Sequence, residues 1–158
     1  MARIDLKYCT IKIKDGSTNE VTIKVGDGTL SWDERRNMEY QMDRGNLDTV
    51  REGDQVPLDL NIDLVYEYVT GTGATANPSD ALKRVNAAAA WVSSDSDTCA
   101  PYAVDVEVVY DPTCSGSNTT ETLLFSDFRY ESLSHDIKAS TIRCSGKCNV
   151  TRVTATRT

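Results

Sequence analysis

The chain has 158 residues, 39% of them hydrophobic, which is enough for one domain with a core. No apolar run reaches the roughly eighteen residues that a membrane-spanning helix needs, and residues 1–7 lack the apolar stretch of a secretion signal. The formal net charge of −7 excludes a nucleic-acid binder that takes its affinity from phosphate neutralisation.

In chain order, strand signals dominate. Tyr8 to Lys14 places Cys9, Ile11 and Ile13 on one face, and Val21, Ile23 and Val25 repeat the alternation. Between them Asp15 to Asn19 is turn chemistry, so the two strands form a hairpin, and Gly26 to Gly28 is a second turn. Leu30 and Trp32 begin another strand, and Met38, Tyr40 and Met42 resume the period of two after the charged cluster Asp33 to Asn37. Residues 43–55 are polar, carry two glycines and show little periodicity, which predicts a long loop between two long strands.

From Val56 to Tyr68 the even positions Val56, Leu58, Leu60, Ile62, Leu64, Tyr66 and Tyr68 are all apolar. Asp59, Asn61, Asp63 and Glu67 occupy the other face, with no Lys or Arg among them. This is a long strand with one dry face and one acidic face.

After a Gly/Thr/Ala connector, Ser79 is the expected N-cap of one helix over about 79–92. Leu82, Val85, Ala89 and Val92 form the stripe expected to lie on a sheet. Tyr102 to Tyr110 is a strand with Asp105 and Glu107 opposite its apolar face. A Ser/Gly/Asn/Thr-rich loop over 111–120 precedes strands expected at Thr122–Tyr130, Ile137–Cys144 and Val150–Thr156. The fold class predicted is mainly β: one domain over residues 1–158, a β-sandwich or partly closed barrel of about eight strands with one packed helix.

Charge is unevenly spread. Nine acids against one base lie between Ser93 and Asp136, and five bases without an acid follow from Ile137. Neighbouring strands that attract, or complementary faces of a self-assembling subunit, are both consistent with that division.

Catalytic signals are absent. His135, the single histidine, adjoins Ser134 and Asp136, but strand neighbours point to opposite faces and form no triad. No carboxylate pair is brought together by spacing, so neither an enzyme nor a cofactor is expected. Cys144 and Cys148 are spaced too widely for a zinc knuckle and lack a histidine partner, so no metal site is expected. Cys99 and Cys114 bracket one strand, whose extended length of roughly 30 Å is beyond disulfide reach. Cys99, Cys114, Cys144 and Cys148 therefore stand as candidate disulfide cysteines with partners elsewhere, another subunit included, while Cys9 reads as a small core residue.

Gly28-Thr-Leu-Ser-Trp32, Tyr40-Gln-Met-Asp-Arg44-Gly45-Asn-Leu-Asp48 and Val50-Arg-Glu-Gly-Asp54, leading into the 56–68 strand, resemble bacteriophage tail tube proteins. So do the helix and the closing strands from Phe125 through Ser145-Gly146-Lys147-Cys148-Asn149. The resemblance implies a virion protein made in the host cytoplasm, whose hexameric rings stack into a hollow tube through which double-stranded DNA passes unheld. It also implies partners in terminator, baseplate or tip and, in some tails, sheath proteins. Under it, Asp59, Asn61, Asp63 and Glu67 are candidates for the channel lining, with Asp105 and Glu107 competing. The 43–55 loop would bridge rings through Arg44, Asn46, Asp48, Arg51, Glu52 and Asp54. Two alternatives are a secretion-system tube subunit and a β-sandwich binding or head-decoration module. A binding module usually shows a clustered aromatic platform, whereas Trp32 and Trp91 fall at core positions.

Overall fold

The computed structural model describes residues 8–23, 29–65, 77–111 and 120–157. Expectations for Val25, the 26–28 turn, Tyr66, Glu67, Tyr68, Cys114 and most of the 111–120 loop lie outside those residues.

The strands are β1 (Cys9–Lys14), β2 (Glu20–Ile23), β3 (Leu30–Asp33), β4 (Arg36–Asp43), β5 (Asn46–Gln55), β6 (Leu58–Val65), β7 (Val104–Tyr110), β8 (Glu121–Asp136), β9 (Thr141–Cys148) and β10 (Thr154–Arg157). Eight of them form one antiparallel sheet in the order β2-β1-β7-β8-β9-β6-β3, with β10 also paired to β8. The mainly-β class therefore holds, with a single short α-helix among the described residues, α1 (Pro78–Lys83).

The 16-residue β8 belongs to both layers. Its first half pairs with β7 and β10, its second half with β9. Register shifts opposite Val104/Val106 and between Tyr130 and Ser132 bend it, and Asp127 between them has φ 55°. The sheet then closes over itself. Trp32 on β3 meets Phe125 on β8 edge-to-face at 5.2 Å between centroids, although three strand steps separate β3 from β8 in the sheet. A flat sheet would hold strands that far apart by about 14 Å, so the contact spans two packed layers.

Alternation selects the core. Leu58, Leu60, Ile62 and Leu64 of β6 meet Val104, Val106 and Val108 of β7, Ile11 and Ile13 of β1, Phe125 and Phe128, all buried. Cys144 and Cys148 are also buried free thiols, and burial pushes both up to about 12. Cys9 is partly buried against this core.

Three expectations need correction. Residues 43–55 are not a loop: β4 and β5 form a separate two-stranded sheet, an arm closed by Arg44 (φ 53°) and Gly45 (φ 83°). Positive φ at both central residues gives the hand of turn that a tight hairpin needs.

The helix is shorter than 79–92 and is capped two residues earlier, by Asn77 where Ser79 was expected. Asn77 accepts from the Asp80 N–H at 2.8 Å, Pro78 takes the first helical position, and Arg84 (φ 58°) ends the helix in the left-handed region. Val85 is extended and Asn86–Ala88 form a 3-10 turn. Pro78, Ser79, Ala81, Leu82, Ala88 and Trp91 are buried here, while Val85 and Val92 are exposed. Finally, β8 runs on to Asp136, so Ile137 sits in a turn and β9 begins at Thr141.

The β1–β2 hairpin is as expected, and Asp15 explains its turn. Asp15 is buried and its carboxylate accepts from the N–H groups of Ser17 (2.9 Å), Asn19 (3.1 Å) and Val92 (3.0 Å) and from Asn19 Nδ2 (2.8 Å). Burial alone would raise its pKa, but these donors outweigh burial and hold the carboxyl below its usual value. A depressed folded-state pKa contributes stability that is complete above the unfolded value and is lost as pH falls through the folded one. Asp15→Ala should therefore cost about 1–3 kcal/mol at pH 7. Urea titrations should show the gap between variant and parent narrowing as pH falls from neutral toward 3.

Candidate assembly surfaces

Almost every residue of the arm is exposed. Across it Tyr40 pairs with Val50 and Met42 with Leu47, so these four side chains share one face. They are 59%, 51%, 61% and 64% exposed in that order. The opposite face is polar: Arg51 Nε donates to Glu39 at 2.5 Å, and Thr49 Oγ1 to Gln41 at 3.0 Å. An isolated two-stranded hairpin is marginal in water, so an apolar face left open on one requires a cover.

Of the expected contact residues, Arg44, Asn46, Asp48, Arg51, Glu52 and Asp54 all lie on the arm and are exposed. Glu52 faces the same side as Met38, its register partner. Of the four apolar side chains, Tyr40 and Met42 follow the period of two legible in the sequence, whereas Leu47 and Val50 share their face only through the register shift.

The second surface is the outer face of β8 (second half), β9, β6 and β3. Register sets rows across it: Lys147, Asp59 and Asp33; then Ser145, Asn61 and Ser31; then Ser134, Arg143 and Asp63. The acidic side of β6 is therefore not alone. Lys147 Nζ lies 3.3 Å from Asp59, and Arg35 reaches both Asp59 (3.8 Å) and Asp33 (3.5 Å). The face is charge-balanced, where β6 read by itself suggested a wall of one sign.

Asp105 and Glu107 lie on the outer side of β7 under different constraints. Lys14 donates to Glu107 at 2.8 Å. Asp105 is half-buried, accepts the Asp127 N–H at 3.0 Å, and burial raises its pKa. The acid–base division of the chain is partly resolved by pairing between strands, as in Arg157 to Glu121 at 3.0 Å across β10 and β8.

Other candidate chemistry stays dispersed. His135 is exposed near the end of β8, its Nε2 3.4 Å from the Ser79 hydroxyl. Cys99 is a free, exposed thiol, and Cys144 and Cys148 point into the core of their own subunit. Among the described residues no three His, Cys, Asp or Glu side chains are placed to hold a metal. No described helix is long and apolar enough to cross a membrane. An open cleft of about 530 Å³ lies at the arm's root, lined by Gln55, Pro57, Val150 and Arg152 among others, without a nucleophile–base pair in it.

No protein-family model matches the chain, and no curated protein matches it. Among solved structures, the chain is similar to a component of the sheath–tube complex of an extracellular contractile injection system (PVC) in its extended state. That likeness has a TM-score of 0.59 and 11% identity, and covers 99% of this chain and 93% of the other. A component of the anti-feeding prophage (AFP) baseplate is also similar at 11% identity, covering 99% of this chain and 97% of that one, with a TM-score of 0.44, too low to support a fold assignment. At such identity the first likeness is one of fold.

Proposed function

We propose that this chain is a structural, non-enzymatic subunit of a tail tube, which self-associates into rings, hexameric as in the proteins it resembles, and stacks them into a hollow conduit. The observation that carries this reading is the arm: a projecting hairpin whose apolar face its own subunit leaves open. Supporting it are the fold likeness to a sheath–tube component and the residue-level resemblance to phage tail tube proteins.

In a ring, the outer edges of β3 and of the second half of β8, which pair with no other strand among the described residues, would be available to neighbouring copies. Pairing them would join the four-stranded faces into a closed wall without edges. The wall proposed carries Asp59, Asn61 and Asp63, with Glu67 continuing the same sequence pattern. Asp105 and Glu107 are the weaker choice, being tied up by Asp127 and Lys14. On the β6 face, Lys147 is matched by Asp59 and Arg143 stands across from Asp63, so among the described residues no unmatched cationic track is left there to grip phosphates. A duplex moving through during genome ejection would slide because nothing on the wall exchanges counterions with it. Terminator, baseplate or tip and sheath proteins would meet the tube's ends and outside, and the particle would be a virion assembled in the bacterial cytoplasm.

A second reading keeps the same assembly with protein cargo, as an injection-system tube; the PVC likeness favours it. Sedimentation velocity tests what both share. Species of ring mass or larger at micromolar concentration are expected, and a monomer at every concentration would contradict both.

A further inference from the structure

Resting on that reading, we infer that the receptor for the arm is residues 83–92 of a second copy, the segment that starts at the last residue of α1. The arm offers Tyr40, Met42, Leu47 and Val50 on one face, each more than half exposed. The segment offers two further exposed aliphatic side chains, Val85 (40%) and Val92 (51%), with exposed alanines 87, 89 and 90 between them. Large side chains on one surface thus meet short ones on the other, which lets the two backbones approach.

The charges are complementary. Asp43, Asp48, Glu52 and Asp54 on the arm make no ion pair among the described residues, and the segment opens with Lys83 and Arg84. Lys83 is likewise without an ion pair there, and Arg84 lies over the Tyr102 ring at 5.6 Å with its charge at the surface. Opposite charges around an apolar centre set register and speed encounter.

The receptor is also rigid. Val92 N–H donates to Asp15 and the Val92 carbonyl accepts from Gly16, at 3.0 and 2.8 Å. Trp91 and Ala88 are buried, and Tyr102 Oη donates to the Ala81 carbonyl at 3.0 Å. A Cβ on Gly16 would stand 2.2 Å from the Ser93 carbonyl oxygen, so the hairpin turn and the segment are fitted to one another.

Topology favours a second copy over the arm's own. The arm springs from the Leu58/Cys148 end of the four-stranded face. α1 begins at the other end, where Ser79 meets His135 beside the Ile142 register position. The segment runs from that end back to Val92 at the Asp15 turn; a donor and a receptor on different surfaces of one subunit make a head-to-tail contact that repeats without closing, as stacked rings require.

The test places a photo-activated benzophenone side chain at Met42 and irradiates assembled protein, with adducts located by mass spectrometry. An intermolecular adduct within residues 83–92 is expected. Adducts mapping elsewhere on a second copy, the partner's arm included, or no intermolecular adduct in assemblies that do form, would overturn the inference and leave the tube reading standing. Failure of the parent protein to assemble at all would overturn both.

Discussion

Gly146→Val is expected to destabilise the fold by more than about 4 kcal/mol, a large part of the roughly 5–15 kcal/mol that holds a domain together. Gly146 lies on β9 opposite Tyr130, at the register shift that bends β8. A Cβ there would stand 2.1 Å from the Arg129 carbonyl oxygen and 2.8 Å from Tyr130 Cα. Both are backbone atoms, so no side chain can swing aside; the β8–β9 ladder must open, and with it the joint between the two layers. Gly53 on the arm is the control. Its added Cβ would meet side-chain atoms at 3.3 Å on an exposed hairpin, and Gly53→Ala should stay within about 1 kcal/mol of the parent. Urea unfolding followed by circular dichroism separates the two; equal midpoints for Gly146→Val and parent would remove the close approach from the account.

The second large effect is on assembly. The double variant Tyr40→Ser, Leu47→Ser should leave the melting temperature of the isolated subunit almost unchanged, because both side chains are already 59% and 64% exposed there. In a stacked assembly each would be buried, and burial of one such side chain is worth about 1.5–3 kcal/mol. Losing two removes about 3–6 kcal/mol per contact, or roughly a hundred- to ten-thousand-fold in association. Light scattering against concentration should show the parent growing and the variant arrested at rings or below. Growth at parent concentrations would mean that the arm's apolar face is not what stacks.

The core strands were legible because burial on one side imposes a period of two. Val21, Ile23, Leu58 to Leu64 and Val104 to Val108 all follow it. The arm hid for two reasons. Its turn is Arg44-Gly45 where Asn-Gly would have signalled a tight hairpin, and the register shift after Gln41 puts Leu47 and Val50 on one face although they are three apart. A strand containing such a bulge looks aperiodic. The helix was overlong on paper because nothing in Lys83-Arg84-Val85 marks a stop; Arg84 adopts the left-handed conformation without being glycine. Charge on the outer face was half legible. The acids of β6 can be seen along one strand, but Lys147 and Arg143 join them only through pairing with a strand some eighty residues on, which spacing cannot reveal.

Everything proposed here depends on this subunit building a hollow, stacked assembly through its arm, and electron microscopy of the purified protein tests that most directly. Rings or open-ended tubes with a central channel are expected for the parent, and single rings or smaller species for the arm double variant. Uniform monomers of the parent at every concentration and salt would contradict the account and return the chain to the class of β-sandwich binding modules.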